Sequence, residues 1–281
     1  MKKILAFALA LPVLFACNKG GNEATLETPK LADKAAKVVA VTPVDITVKG
    51  KTLKLKEIDF LRSGRYVAEA DYIIEPGITT KATAKTIYLS GTFTFDNGKY
   101  NVSGDIQGAI VLNNNQMTIN GTTTDVTVTP SNIAAGSTQD QIARSWKLEK
   151  IILNFDALGG RALYANVAAV VNDIEAHEIA IDPDVKDRIL EHEIKEVTVD
   201  SGIVCVTFTQ AEPFKGQFSL GTNNSFSYNF EGTDMNGDLF ATAASGSIKI
   251  DGKKAVISMS VQSGIKDLGN GTAEITLVAV D

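Results

Sequence analysis

Apolar and polar residues alternate along most of this chain, in short runs separated by turn residues. A period of two marks a strand with one buried face. Val44, Ile46 and Val48 alternate with polar neighbours, and Leu53 and Leu55 continue the pattern, less cleanly through Glu57 and Asp59. In the run Tyr88 to Phe95, Thr92 and Thr94 share one face, Phe93 and Phe95 the other. Asp96-Asn97-Gly98-Lys99 separates this run from Tyr100 and Val102. Asn-Gly between alternating runs predicts a two-residue hairpin, because a type I′ turn needs positive φ at both central residues. Asn113 to Gln116 turns Ile110 and Leu112 onto Met117 and Ile119, and a Thr-rich run from Thr122 to Thr129 ends at Pro130.

Residues 131–144 read as a linker, after which Trp146-Lys147-Leu148 opens a second half with a strand. The period then changes. Leu163, Val167, Val170, Val171 and Ile174 recur at helical spacing. Asp182-Pro183 supplies an N-cap and a proline at the first helical position for a second helix through Val185, Ile189 and Leu190. Beyond Glu196 the alternation returns in Phe226, Tyr228 and Phe230. Asn236-Gly237, Asp251-Gly252 and Asn270-Gly271 predict further turns. The second of these joins Ile248 and Ile250 to Val256 or Ile257, and the third leads into the final strand. Hairpins this closely spaced predict a mainly β fold. It is an antiparallel meander in barrel- or sandwich-like halves, with a two-helix insertion in the second half. The expected boundaries are a first β-rich domain at 38–130, a linker at 131–144, and a second β-rich domain at 145–281 with its insertion at 160–195. One hairpin, Gly108 to Ile119, is echoed by Gly246 to Ile257, which leaves an internal duplication open.

The N-terminus follows a different pattern. Lys2 and Lys3 precede an apolar run from Ile4 to Phe15, with Ala16 before Cys17. A basic start, an apolar centre and a small residue at the cut describe a secretory signal. The apolar run is too short to span a bilayer, which takes about 20 residues. Leu14 to Cys17 resembles the lipobox of bacterial lipoproteins, although Phe15 stands where that family has a smaller residue. The signal spans 1–16; the resemblance implies lipidation of Cys17 and membrane attachment through its acyl chains, and the polar, unpatterned stretch that follows reads as a flexible tether, 17–37 with the lipidated cysteine. By analogy with enterobacterial sorting, Asn18 implies the outer membrane. Asn18 to Glu23 is a poor match to the acidic export signal of surface lipoproteins, so the face of the membrane stays open. Trp146-Lys147-Leu148, Gly64-Arg65-Tyr66 and Gly98-Lys99-Tyr100 resemble features of the lipocalin-like lipoproteins of the Bacteroidota. That resemblance implies architecture and location rather than an activity, and the helical insertion departs from a plain eight-stranded barrel.

Composition narrows the function classes. The chain is 44% hydrophobic and 21% charged, ordinary for a globular protein. Without Lys2 and Lys3 the mature chain has 25 basic against 33 acidic residues, a formal charge of −8. That argues against a nucleic-acid partner. With Cys17 lipidated, Cys205 is alone; its neighbours Ile203, Val204, Val206 and Phe208 predict a buried, inert thiol. His177 and His192 lack the i, i+4 pairing of helical metal ligands and read as parts of solvated acidic faces. Asp234 to Asp238 reads as a hairpin turn rather than a calcium loop, since its glycine falls too early and the distal glutamate is missing. Trp146, the single tryptophan, reads as core. No phosphate loop, nucleophile elbow or paired-thiol motif occurs, so no catalytic, cofactor or metal residue is expected. The expectation is a lipid-anchored, non-enzymatic envelope protein that binds a small-molecule or protein ligand. The alternatives are a structural subunit of a surface assembly, or a glycan or lipid hydrolase with a carboxylate pair near the helical insertion.

Overall fold

The computed structural model describes residues 26–74, 83–233, 239–263 and 265–280. The signal at 1–16, Cys17 and the Asn236-Gly237 turn with Asp234 to Asp238 lie outside the described residues.

The first half is a closed antiparallel barrel of eight strands. These are β1 (Ala36–Val48), β2 (Lys51–Phe60), β3 (Arg65–Ile74), β4 (Thr83–Asp96), β5 (Lys99–Gly104), β6 (Gly108–Asn113), β7 (Gln116–Ile119) and β8 (Thr122–Pro130). A short helix, α1 (Thr138–Ile142), leads into β9 (Ser145–Phe155) and β10 (Gly160–Tyr164). Helices α2 (Val167–Ala176) and α3 (Pro183–Glu191) follow. The remaining strands are β11 (Ile194–Asp200), β12 (Ile203–Phe208), β13 (Phe214–Leu220), β14 (Ser225–Thr233), β15 (Leu239–Asp251), β16 (Lys254–Gln262) and β17 (Asn270–Ala279). One side of β9 pairs with β17; its other side pairs with β11 at the start and with β10 at the end. The second half is therefore also an eight-stranded barrel, with β10 as a flap on β9. The echoed hairpins occupy the same place in both, the sixth and seventh strands of each barrel.

Turn chemistry sets the registers where it was legible. Asn97 and Gly98 both have positive φ, 49° and 76°, and pair Asp96 with Lys99. Gly252 turns β15 onto β16, with Ile248 opposite Ile257 and Ile250 opposite Ala255. Asn270-Gly271 is not a turn. Both residues lie inside β17, opposite Gln262 and Val261, and the reversal comes earlier, with Asp267 and Gly269 at positive φ. Gly271 is needed for close packing instead: a Cβ there would lie 2.6 Å from the Phe155 ring and 2.7 Å from the Asn154 carbonyl.

The helices also begin later than the spacing predicts. Leu163 sits on β10 and is 67% exposed, whereas Val167, Val170, Val171 and Ile174 are buried in the second barrel's core. A strand alternates its side chains, so Leu163 faces out where Tyr164 faces in. Asn166 caps α2 by accepting from the Ala169 amide at 2.9 Å, and Asp182 caps α3 by accepting from Asp184 at 3.0 Å.

The two interiors are filled differently. In the first barrel Phe60 stacks on Tyr100 with ring centroids 3.9 Å apart, and Phe93 meets Phe60 edge-on at 5.1 Å. Tyr66 spans the interior to Ile106, accepting from its amide at 2.8 Å and donating to its carbonyl at 3.1 Å. Trp146 is fully buried in the second barrel, where its indole N–H donates to the Ile142 carbonyl at 3.0 Å.

Contacts of several kinds join the barrels. Cys205 is buried, but it packs with Leu61 and Val67 of the first barrel, while Val204 and Val206 point into its own. Arg62 pairs with Asp140 of α1, both buried, and the Arg62 amide donates to Asp200 at 2.6 Å. Arg65 pairs with Glu196. Residues 26–35, counted with the tether in the sequence reading, lie against this body. Leu26 packs on the second core and Leu31 on the first, and the Glu27 carbonyl accepts from the Arg144 guanidinium at 3.0 Å.

Burial pushes the Cys205 thiol up to about 12. A maleimide should therefore leave the folded chain unlabelled at pH 7.5 and label it fully in denaturant. Mass spectrometry reads the result, and rapid labelling of the native chain would contradict this packing.

Candidate functional site

Two of the molecule's cavities contrast in their lining, one charged and polar, the other apolar. The first is a cleft of about 1060 Å³ between the barrels. Its first-barrel wall begins with a register fault. The β2–β3 pairing shifts between Leu55 and Glu57, so Lys56 is an extra residue. A one-residue shift exchanges the two faces of a strand. Before it Leu53 and Leu55 point inward; after it Ile58 and Phe60 do, and Glu57 and Asp59 turn out to face the second barrel.

Lys215 of β13 reaches across and pairs with both carboxylates, 2.6 Å from Asp59 Oδ2 and in direct contact with Glu57. Lys37 adds a second cation 2.7 Å from Glu57. Burial pushes the Asp59 carboxyl up to about 6 against the pull of Lys215. Glu57 is held below the usual glutamate value: burial opposes this, but Lys215 and Lys37 outweigh it. Burial likewise works against the Lys215 ammonium, yet Asp59 and Glu57 hold its pKa above the usual lysine value. Asp59 is 1% exposed, and its Oδ1 has no hydrogen-bond partner among the described residues.

The opposite wall is the outer face of the second barrel. Gln217, Ser219, Ser227, Asn229 and Ser245 are exposed there and line the cleft. They alternate with Phe218, Phe226 and Phe230, which point inward. No residue of the 160–195 insertion lines this cleft, so the two carboxylates lie away from the helices that were expected to neighbour such a pair.

The second cavity, about 130 Å³, lies inside the second barrel. Phe214, Phe218, Phe226, Phe230 and Met259 contribute to its lining, and Val167 and Ile189 of the two helices face it. His192 sits at the end of α3 with its ring centroid 5.0 Å from Phe208 and 5.2 Å from Phe214. Its Nδ1 lies 2.6 Å from the Arg188 carbonyl, and His177 Nδ1 lies 2.9 Å from that of Asp173. Each histidine thus closes its own helix. Among the described residues, no group of three or more His, Cys, Asp and Glu is placed to hold a metal ion, and no helix is long and apolar enough to cross a membrane.

The sequence reading singled out Cys17, which lies outside the described residues, and Cys205 and Trp146, which are packing residues. It did not find Lys215 or the pairing of Glu57 with Asp59. The one signal was the break in alternation after Leu55. No protein family, curated protein or solved structure matches this chain.

Proposed function

We propose that this chain is a lipid-anchored protein of the cell envelope that binds a small apolar ligand in its second barrel. The observation that carries this reading is the apolar cavity beneath α2 and α3. Eight-stranded barrels are just wide enough to be filled by side chains or to hold one small ligand. The first barrel follows the former course, through its Phe60, Tyr100 and Phe93 cluster. The second keeps about 130 Å³ open. Apolar cavities of roughly 150 Å³ stay dry and take up benzene or xenon, so this one suits a small ring or the end of a hydrocarbon chain. The helices, joined by Lys186 and Glu175 at 2.7 Å, act as its lid. Among the described residues both sheets close on themselves and the short β10 flap ends the second, which gives little support to a strand-added surface assembly.

Benzene titrated into the folded chain should shift methyl resonances of Val206 and Met259, and Ala255→Leu should abolish the shifts by filling the cavity. Replacing residues 166–192 with a short Gly-Ser linker should preserve the strand signal but raise binding of the dye ANS, because the lid's apolar contacts are lost. Unchanged resonances, or a lidless chain with no added dye binding, would refute the reading. Attachment has its own test. Cys17→Ala should move the protein from the membrane to the soluble fraction or leave it unprocessed, since the acyl chains supply the affinity.

The hydrolase reading retains one supporting observation: Glu57 and Asp59 are pushed to opposite sides of their usual values. They stand side by side on one strand and share one lysine, whereas glycoside chemistry uses carboxylates flanking the scissile bond. Turnover of a nitrophenyl glycoside that is lost in Glu57→Gln would establish it.

A further inference from the structure

We propose that the ligand of the second barrel is an uncharged, ring-sized molecule with one hydrogen-bond-accepting oxygen, as in a ketone or aldehyde, and that the Tyr228 hydroxyl binds that oxygen. This rests on the reading of the barrel as a site for a small apolar ligand, and it narrows the chemistry of that ligand. Tyr228 lies on β14 between Phe226 and Phe230, with its ring centroid 6.2 Å from the first and 5.1 Å from the second. Ser227 and Asn229 on either side face the cleft, so the tyrosine side chain enters the barrel, where it lines the apolar cavity. Its hydroxyl makes no hydrogen bond among the described residues. The other tyrosines of the two cores differ in this. Tyr66 donates to the Ile106 carbonyl at 3.1 Å, Tyr100 to the Lys34 carbonyl at 3.0 Å, and Tyr164 to Asp173 Oδ2 at 2.6 Å.

A tyrosine hydroxyl taken out of bulk water ordinarily finds a partner, so one left unpaired beside a cavity marks where a ligand's polar atom belongs. Unlike the Asp59 oxygens, this hydroxyl is not sealed inside the protein. Burial raises the Tyr228 phenol above the usual tyrosine value, which keeps the group a neutral donor. The rest of the lining sets the other properties of the ligand. Besides Tyr228, only Trp146 and His192 bring side-chain nitrogen or oxygen to it. The Trp146 N–H is engaged by the Ile142 carbonyl, and His192 Nδ1 by that of Arg188. Among the described residues no lysine, arginine, aspartate or glutamate lines the cavity. A carboxylate or an ammonium group would lose its hydration there without a counter-charge. A hydrocarbon would fit but leave the hydroxyl unpaired. A small cyclic ketone meets both conditions, with its ring against the phenylalanines and its oxygen accepting from the Tyr228 O–H.

The test titrates the full chain at pH 7.5 with cyclohexanone, methylcyclohexane and cyclohexanecarboxylate, and follows the methyl resonances of Val206 and Met259. The ketone and the hydrocarbon have nearly the same shape, and both should bind; the carboxylate should not. Tyr228→Phe removes only the hydroxyl. It should weaken cyclohexanone by about three- to tenfold, the worth of one net hydrogen bond, and leave methylcyclohexane within about twofold. Because the hydroxyl has no partner in the protein itself, the variant should unfold at the parent's urea midpoint or above it. The outcomes separate this assignment from the reading beneath it. Methylcyclohexane binding together with an unchanged affinity for cyclohexanone in Tyr228→Phe overturns the role of the hydroxyl and leaves the apolar cavity standing. If no probe moves either resonance, both fall. A Tyr228→Phe chain that is destabilised or unfolded, or a carboxylate that binds more tightly than the ketone, also overturns the assignment.

Discussion

Replacing Lys215 with methionine should cost about 3–5 kcal/mol of stability at pH 7.5, because removing one partner strands buried charge. The residue is the shared cation of Glu57 and Asp59, and all three side chains are almost wholly out of solvent. Urea unfolding measures the loss. Adding Glu57→Gln and Asp59→Asn to the lysine variant should recover most of it, since an uncharged cluster needs no counter-ion. A single variant as stable as the parent would mean that the three groups are hydrated.

The same cluster makes stability depend on pH. The Asp59 carboxyl is at about 6 in the folded chain against an ordinary value of 3.8. Between those values the folded state holds a proton that the unfolded chain releases. Its contribution is complete below about pH 4 and is lost as pH rises through about 6. Glu57 acts in the opposite sense: its contribution is present above its ordinary value of 4.5 and is lost as pH falls further. Acidification from pH 7 to pH 5 should therefore stabilise the parent by roughly 1–2 kcal/mol relative to Asp59→Asn. The deficit of the lysine variant should shrink over the same interval.

The second large effect is at Arg62. Arg62→Met leaves Asp140 buried without its cation and should also cost about 3–5 kcal/mol. The consequence is as much mechanical as energetic. Arg62 follows β2 in the first barrel, Asp140 lies in α1, and Asp200 ends β11 in the second barrel, so one arginine fastens three segments. Calorimetry on the parent should show one cooperative transition. The variant should show two, as each barrel unfolds by itself. Arg62→Met with Asp140→Leu should restore a single transition at higher temperature. An unaltered thermogram for Arg62→Met would show that the barrels are held by other contacts.

These effects explain how far the fold and the site were legible. Turns were readable where geometry constrains residue choice locally, as at Asn97-Gly98. Asn270-Gly271 misled because glycine serves two ends: positive φ in a turn, and close approach to a neighbouring strand, here at Phe155. The helix caps at Asp182 and the stripe of Val167, Val170 and Ile174 are local signals and stood clear, while Leu163 fitted the helical spacing by coincidence. The cleft was not readable. Glu57 and Lys215 are 158 residues apart, and each looks like a charge on the wet face of a strand. Only the packing of one closed barrel on another takes them out of water. Cys205 shows the same limit, since its burial was legible but the surface that buries it was not.

The seating of Leu26 and Glu27 on the second barrel sets a leash length. If Cys17 carries the lipid as proposed, nine residue steps separate it from Leu26. A fully extended chain covers at most about 3.3–3.6 Å per residue, so the body stays within about 30 Å of its anchor. Attached lipid and docking point together would restrict the protein to a shallow shell above the bilayer, able to pivot about Leu26 but not to sweep far from the headgroups. Ligands arriving through the membrane would then be met at close range, and those in the surrounding medium only where they approach the surface.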